Sequence, residues 1–159
     1  DIDGNAGWAL GENLMTGRIN VSGDVGASVG ASMRGGDLFV GGDAGARAGI
    51  SMKGGTLFVA GNTGFLTGFM MQKGRIVVCG DVGDAVGDSM YEGIIYVGGE
   101  YGSLGSDAEV ADIDEDELLD LWSLLDSNGV KSKPDFKKII SSKRLYHFDS
   151  LERLELASV

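Results

Sequence analysis

Residues able to do chemistry are few and widely separated in this sequence. His147 is the only histidine, and a general base of this kind needs a partner within hydrogen-bond reach. Asp149 lies two residues later, on the same face if 144–148 is an extended strand. Cys79 is the only cysteine, which excludes an internal disulfide and a cysteine-based zinc cluster and fits a reducing cytoplasm. We interpret His147 as a packed structural residue and predict no catalytic, cofactor-binding or metal-binding residue in this chain.

Acidic and amide side chains recur every nineteen residues. They are Asn5, Asp24, Asp43, Asn62, Asp81 and Glu100. Repeated acids at turns also occur in calcium-binding β-rolls, but a calcium site needs several oxygens that converge on one ion. This series provides one side chain per repeat. We predict that each forms an Asx turn, in which its oxygen accepts a backbone N–H at the same corner.

Glycine accounts for 28 of the 159 residues. It recurs in a motif of the form G-[D/N]-x-G-x-x-x-G that also repeats every nineteen residues. Five copies occur without an insertion, and a sixth begins at Gly99 and breaks after Gly105. The glycines of the five copies are Gly4, Gly7, Gly11, Gly23, Gly26, Gly30, Gly42, Gly45, Gly49, Gly61, Gly64, Gly68, Gly80, Gly83 and Gly87. A glycine-rich loop can bind phosphate where a strand meets a helix, but no helix is predicted after any copy. We interpret these residues as corner glycines that allow a positive φ or a close backbone approach.

The second half of each repeat contains three apolar series in the same register. They are Leu14, Met33, Met52, Met71 and Met90; Ile19, Leu38, Leu57, Ile76 and Ile95; and Val21, Val40, Val59, Val78 and Val97. The last two series are two residues apart, which is the period of a β-strand. One repeat is too short to bury these side chains alone, so equivalent positions must stack at about 4.8 Å. The methionines are therefore interpreted as core rather than as ligands of copper or haem.

This pattern predicts a mainly β fold, a right-handed single-stranded parallel β-helix of about five 19-residue coils with a small α-helical C-terminal extension. Net charge is −11, so we expect neither nucleic acid nor an anionic membrane surface as a partner. No apolar run reaches the length of about 18 residues that a transmembrane helix needs, and residues 1–4 show no secretory signal. The expected location is the cytoplasm.

Composition changes after Gly105, so we predict two units, residues 1–105 and 106–159. The second unit begins with an acidic stretch, 106–126, which has nine acids and no Lys or Arg. A helix over 113–127, capped by Asp112 or Asp114, is predicted from apolar residues at helical spacing. Those residues are Leu118, Leu121, Trp122 and Leu125.

The rest of the C-terminal unit is predicted to contain a short basic helix and a tail. The helix begins at Pro134 and buries Phe136, Ile139 and Ile140, and a strand follows at 145–148. Six basic residues are expected to pair with the acidic stretch or with an acidic partner: Lys131, Lys133, Lys137, Lys138, Lys143 and Arg144.

The two ends of the coil are expected to differ. A β-helix exposes unpaired backbone groups at each end, and we predict that the acidic helix caps the last coil near Val97. Only three residues precede the first motif, too few to form a cap. The first coil is therefore expected to meet a partner, a second copy of the chain or preceding residues.

The tandem motif, followed in the second to fifth repeats by M-x-x-G-x-[I/L]-x-V, resembles the GXGXG domain of glutamate synthase large subunits over residues 4–105. That domain in turn resembles the β-helical subunit of formylmethanofuran dehydrogenase, and in both families it is a right-handed β-helix without catalytic groups. In glutamate synthase it braces the amidotransferase domain against the FMN-binding synthase domain. Residues 136–148 are similar to the tail of stand-alone subunits in split glutamate synthases.

The resemblance implies a structural subunit of an oxidoreductase complex that forms glutamate from glutamine and 2-oxoglutarate. Its partners would be the amidotransferase and FMN synthase components, with FMN and an iron–sulfur cluster bound by other subunits and no cofactor bound by this chain. Three alternatives stay open: the β-helical subunit of a formylmethanofuran dehydrogenase complex, a free-standing β-helix protein, and a β-helix carbohydrate-active enzyme. The last is disfavoured because such enzymes have irregular coils with a cleft of Asp, Arg or Lys, whereas these coils are uniform.

Overall fold

A computed structural model of the chain describes residues 1–143, which form β-strands and one α-helix. The strands are β1 (Arg18–Val21), β2 (Asp37–Val40), β3 (Lys53–Val59), β4 (Lys73–Val78), β5 (Ile94–Val97), β6 (Ala108–Ala111) and β7 (Lys137–Ser141), and the helix is α1 (Glu115–Ser127). All seven strands belong to one sheet in the order β1-β2-β3-β4-β5-β7-β6. The fold is therefore mainly β. Strands β1 to β5 lie side by side in chain order, and β7 lies between β5 and β6.

Residues nineteen apart stack directly, which confirms the repeat-based prediction of a β-helix. Strands β1 to β5 pair in parallel, with Ile19 opposite Leu38 and Val21 opposite Val40. The same offset holds through β5 except at the start of β3, where the register shifts and Lys53 lies opposite Lys73. Five strands are separated by four intervals, so the solenoid makes about four turns and not the predicted five. Before β1, the chain pairs with the next coil through two isolated bridges, from Ile2 to Val21 and from Ala6 to Val25. The right-handed sense of the coil stays a prediction.

The three apolar series form the interior of the solenoid, as predicted. Met33, Met52, Met71 and Met90 have no exposed surface, and the valine series from Val21 to Val97 is equally buried. Close packing of this kind makes the interior dense and intolerant of volume changes. Each coil thus contributes the same few side chains to one continuous core.

Helix α1 confirms the acidic helix predicted over 113–127. Asp114 is the N-cap, and its side chain and that of Glu117 form a capping box. The helix packs Leu121 and Leu125 onto the outer face of the sheet in a cluster that also contains Phe58, Val77, Tyr96 and Phe136. It therefore covers a flank of the solenoid, and the prediction that it caps the last coil is wrong.

The last coil is capped by β7, which occupies the segment predicted to be a short basic helix. β7 pairs antiparallel with β5, with Ile139 opposite Ile95, and on its other side with β6. The helix prediction is wrong because β5 presents a row of unpaired backbone groups, and pairing with them outweighs the local signal of Pro134. Ile139 enters the interior and is fully buried. The strand predicted at 145–148 lies outside the described residues.

Candidate functional site

The Asp and Asn series forms a ladder between coils. Oδ1 of Asp24 accepts the backbone N–H of Asp43 at 2.8 Å, and Oδ1 of Asp43 accepts that of Asn62 at 2.7 Å. The same bond joins every successive pair from Asn5 to Glu100. The predicted Asx turns are wrong because stacking at about 4.8 Å brings the next coil's N–H within reach of each side chain. The ladder secures the nineteen-residue register, and its oxygens are not arranged around a single point.

The motif glycines make close approach between coils possible. A Cβ on Gly61 would overlap Oδ1 of Asp43, the acceptor of the ladder, and a Cβ on Gly45 would lie 2.7 Å from the backbone nitrogen of Ala27. Neither residue has a positive φ. Gly49, the last glycine of its motif, does have a positive φ of +69°. Close approach to the preceding coil thus occurs at Gly45 and Gly61, and a positive φ at Gly49.

Two further positions in each repeat have a positive φ and hold other residues. They are occupied by Ala9, Asn13, Ser28, Ser32, Arg47, Ser51, Leu66, Met70, Ala85 and Ser89. A positive φ is uncommon for residues other than glycine. These positions lie two residues before and two residues after Gly30 and its equivalents. The sequence alone does not reveal them, because the residue types at these positions vary from repeat to repeat. They shape the turn that each coil makes between its motif and its strand.

Cys79 is a partly buried residue packed against the outer cluster under α1. Burial raises the pKa of its thiol to about 11. A thiol of this kind is protonated at neutral pH, and because the thiolate is the nucleophile its reactivity is low. The surroundings of Cys79 therefore fit a packing role rather than that of a nucleophile.

A polar cluster lies between α1 and the sheet. The hydroxyl of Tyr96 donates a hydrogen bond to Oε1 of Glu117 at 3.0 Å, and Nζ of Lys138 donates to the same oxygen. The hydrogen bond from Lys138 holds the pKa of Glu117 below its usual value. Burial, followed by the bond to Glu117, raises the pKa of Tyr96. These three side chains fix α1 and β7 against β5.

The basic residues pair largely with the acidic stretch, as predicted. Lys138 pairs with Glu117, Lys143 with Asp107 and Lys133 with Asp126. Lys137 instead reaches Glu100 on the last coil, at 2.7 Å. Arg144 lies outside the described residues. Three of these four ion pairs therefore lie within the C-terminal segment, and the pair of Lys137 with Glu100 joins that segment to the solenoid.

A surface cavity of about 290 Å³ lies between the end of α1 and the outer face of the first four strands. Arg18 and Arg75 line it and are the groups that could attract an anion. The guanidinium of Arg18 donates to Oδ1 of Asn20 and of Asn128, each at 2.6 Å, and that of Arg75 pairs with Asp120. Because both cations already have partners within the chain, the cavity lacks the converging charges of a built anion site.

His147 and Asp149, the candidate acid–base pair, lie outside the described residues. Over 1–143 there is no group of three or more His, Cys, Asp or Glu side chains able to hold a metal ion. Within the same part of the chain, no helix has the length and apolar character needed to cross a membrane.

The fold of residues 1–143 is that of a β-helical repeat protein, in which equivalent residues of successive repeats stack on one another. No protein-family model matches the chain. It also has no significant similarity to any curated protein.

Proposed function

We propose that this chain is a non-catalytic structural subunit of a cytoplasmic glutamate synthase-type complex. It would brace the amidotransferase component against the FMN-binding synthase component, with FMN and the iron–sulfur cluster held by other subunits. The observation that carries the proposal is the stacking of residues nineteen apart. Through this stacking, the motif that resembles the GXGXG domain forms one continuous solenoid, which we take to be right-handed.

A brace has to hold two components at a constant separation, and this solenoid has the properties of a stiff spacer. Successive coils are joined by the backbone ladder of the sheet and by the side-chain ladder from Asn5 to Glu100. The interior series are fully buried from Met33 to Met90. A coil cannot tilt without breaking both ladders and opening the core, which supports a structural role.

The outward-facing positions also favour binding over catalysis. One largely exposed turn position is occupied in successive repeats by Met15, Arg34, Lys53, Gln72 and Tyr91. The three interior series stay apolar throughout, whereas this position changes from apolar to basic to aromatic. Such a surface can be shaped to fit a partner without disturbing the core.

The test is reconstitution with the full chain. The chain is co-expressed with amidotransferase and FMN-binding synthase components of its own source, and glutamine-dependent formation of glutamate is measured with and without it. We expect the three to copurify, the activity to need the chain, and the chain alone to show no glutaminase activity and no bound flavin. Stoichiometric FMN on the isolated chain would overturn the proposal, as would retention by molybdopterin-binding components in place of these two.

A matched pair of variants separates loss of the scaffold from loss of a contact. Gly45→Ala forces a Cβ against the preceding coil, whereas Gly7→Ala places the same Cβ in open space. We expect the first variant to lower both stability and complex formation. The second should keep the stability of the stack, so that any loss of complex formation by it reports a partner packed on the first coil. Normal complex formation by a destabilised Gly45→Ala variant would show that an intact stack is not what the partners need.

A further inference from the structure

An apolar surface is exposed on the turns of the fourth repeat, residues 61–79. Phe65 and Met70 are 47% and 40% exposed, and Leu66 and Phe69 beside them are half-buried. We call the surface formed by residues 65–70 and their equivalents in the neighbouring repeats the turn face. It lies outside the solenoid, and none of these four side chains belongs to either buried core cluster.

Folding does not require large apolar side chains at most of these positions. In the two preceding repeats the equivalent residues are Ala27, Ser28, Ala31, Ser32, Ala46, Arg47, Ile50 and Ser51. Leu66 and Met70 moreover have positive φ values of 59° and 53°, which bulky residues rarely adopt. The large side chains therefore add nothing that the other repeats need, and a contiguous exposed apolar surface is typical of an interaction site.

Charges flank the apolar centre in an ordered way. In the third repeat, the guanidinium carbon of Arg47 lies 5.5 Å from the centre of the Phe65 ring. In the fifth repeat, the turn face carries Asp84 and Asp88. The surface is thus positive one coil before Phe65 and negative one coil after it.

We propose that the turn face binds a second copy of this chain, with the two solenoids antiparallel and the twofold axis passing through the fourth repeat. This arrangement packs Phe65 and Met70 against the same residues of the second copy. Because it reverses the order of coils, Arg47 of each copy meets the coil that carries Asp84 and Asp88 in the other. A parallel arrangement would instead face each coil with its own equivalent, so that Arg47 meets Arg47 and the acids meet acids.

The size of the face sets the strength of the contact. Four turns, each rising about 4.8 Å, cover only about 19 Å along the solenoid, so the contact is at the small end of specific interfaces. The dimer is therefore weak and concentration-dependent. It uses a surface distinct from the first coil, and it does not depend on the proposed function.

The test measures the oligomeric state of the full chain by sedimentation over a concentration series. Arg47→Glu reverses the charge at the contact, and Arg34→Glu makes the same change on a different turn position. We expect Arg47→Glu to weaken the dimer about tenfold or more, Arg34→Glu to leave it unchanged, and Asp84→Lys added to Arg47→Glu to restore it. Urea unfolding of each variant verifies that it is folded.

Phe65→Ser provides a second route that does not alter charge. We expect it to weaken the dimer because it removes the central apolar contact of both copies. A chain that stays monomeric at hundreds of micromolar would overturn the proposal. This holds even if another protein were found to bind the turn face. A dimer that survives both Arg47→Glu and Phe65→Ser would also overturn it, because its contact would lie elsewhere, for example at the first coil.

Discussion

Substituting one motif glycine tests the stacking directly, because the chain contains its own control. Gly7 and Gly45 occupy the same motif position, two repeats apart. A Cβ on Gly45 would lie 2.7 Å from the backbone nitrogen of Ala27, well inside the 3.4 Å at which ordinary contact begins, whereas a Cβ on Gly7 would have nothing within 4 Å. Neither glycine has a positive φ, so the two alanine variants differ mainly in this contact.

The magnitude follows from two opposing terms. Overpacking costs about 1–3 kcal/mol, and the upper end applies at Gly45 because the crowded atoms are backbone, held in place by hydrogen bonds such as that from Ser28 N–H to the carbonyl of Ala46. Replacing glycine by alanine gains about 0.4–1 kcal/mol through the unfolded chain. We expect Gly45→Ala to lower the free energy of unfolding by about 2 kcal/mol and Gly7→Ala to leave it unchanged or raise it slightly.

Urea unfolding followed by circular dichroism measures both variants. With a denaturant slope of about 2 kcal/mol per molar, Gly45→Ala should shift the midpoint to lower urea by about 1 M. Indistinguishable midpoints for the two variants would refute the reasoning, since they would mean that the surroundings of Gly7 and Gly45 are equally crowded.

Three further predictions concern single residues. Cys79 should react slowly with a thiol reagent at pH 8 in the native protein and rapidly in urea, because burial raises its pKa to about 11; equal rates would contradict this burial. The hydrogen bond from Lys138 lowers the pKa of Glu117, so it stabilises the fold while Glu117 is ionised. This stabilisation is fully present above about pH 4.5 and decreases as the pH falls below that value. Lys138→Met should therefore reduce the free energy of unfolding more at pH 7 than at pH 3, with Lys131→Met as control. Ile139→Ala should cost about 2–5 kcal/mol in urea unfolding, because its side chain is fully buried; a smaller cost than for half-buried Ile140→Ala would show that β7 does not close the core.

The sequence alone determined the solenoid because its pattern is repeated. Each of Met33, Ile76 and Val97 carries little information singly, but a series with one period leaves stacking as the only way to bury all of them. The amphipathic helix was equally readable, since helical spacing and a capping signal are local properties of the chain. Even the count of turns differed only because five repeats enclose four intervals.

Only the tertiary structure decided which backbone groups would meet. The oxygen of Asp43 was expected to accept a local N–H and instead accepts that of Asn62, nineteen residues later, because a spacing in sequence does not distinguish a neighbour along the chain from one in the next coil. In the same way, Phe136, Ile139 and Ile140 fit a helix as well as a strand when considered alone. The open edge of β5 selected the strand, since unpaired backbone groups there needed partners that no local pattern records.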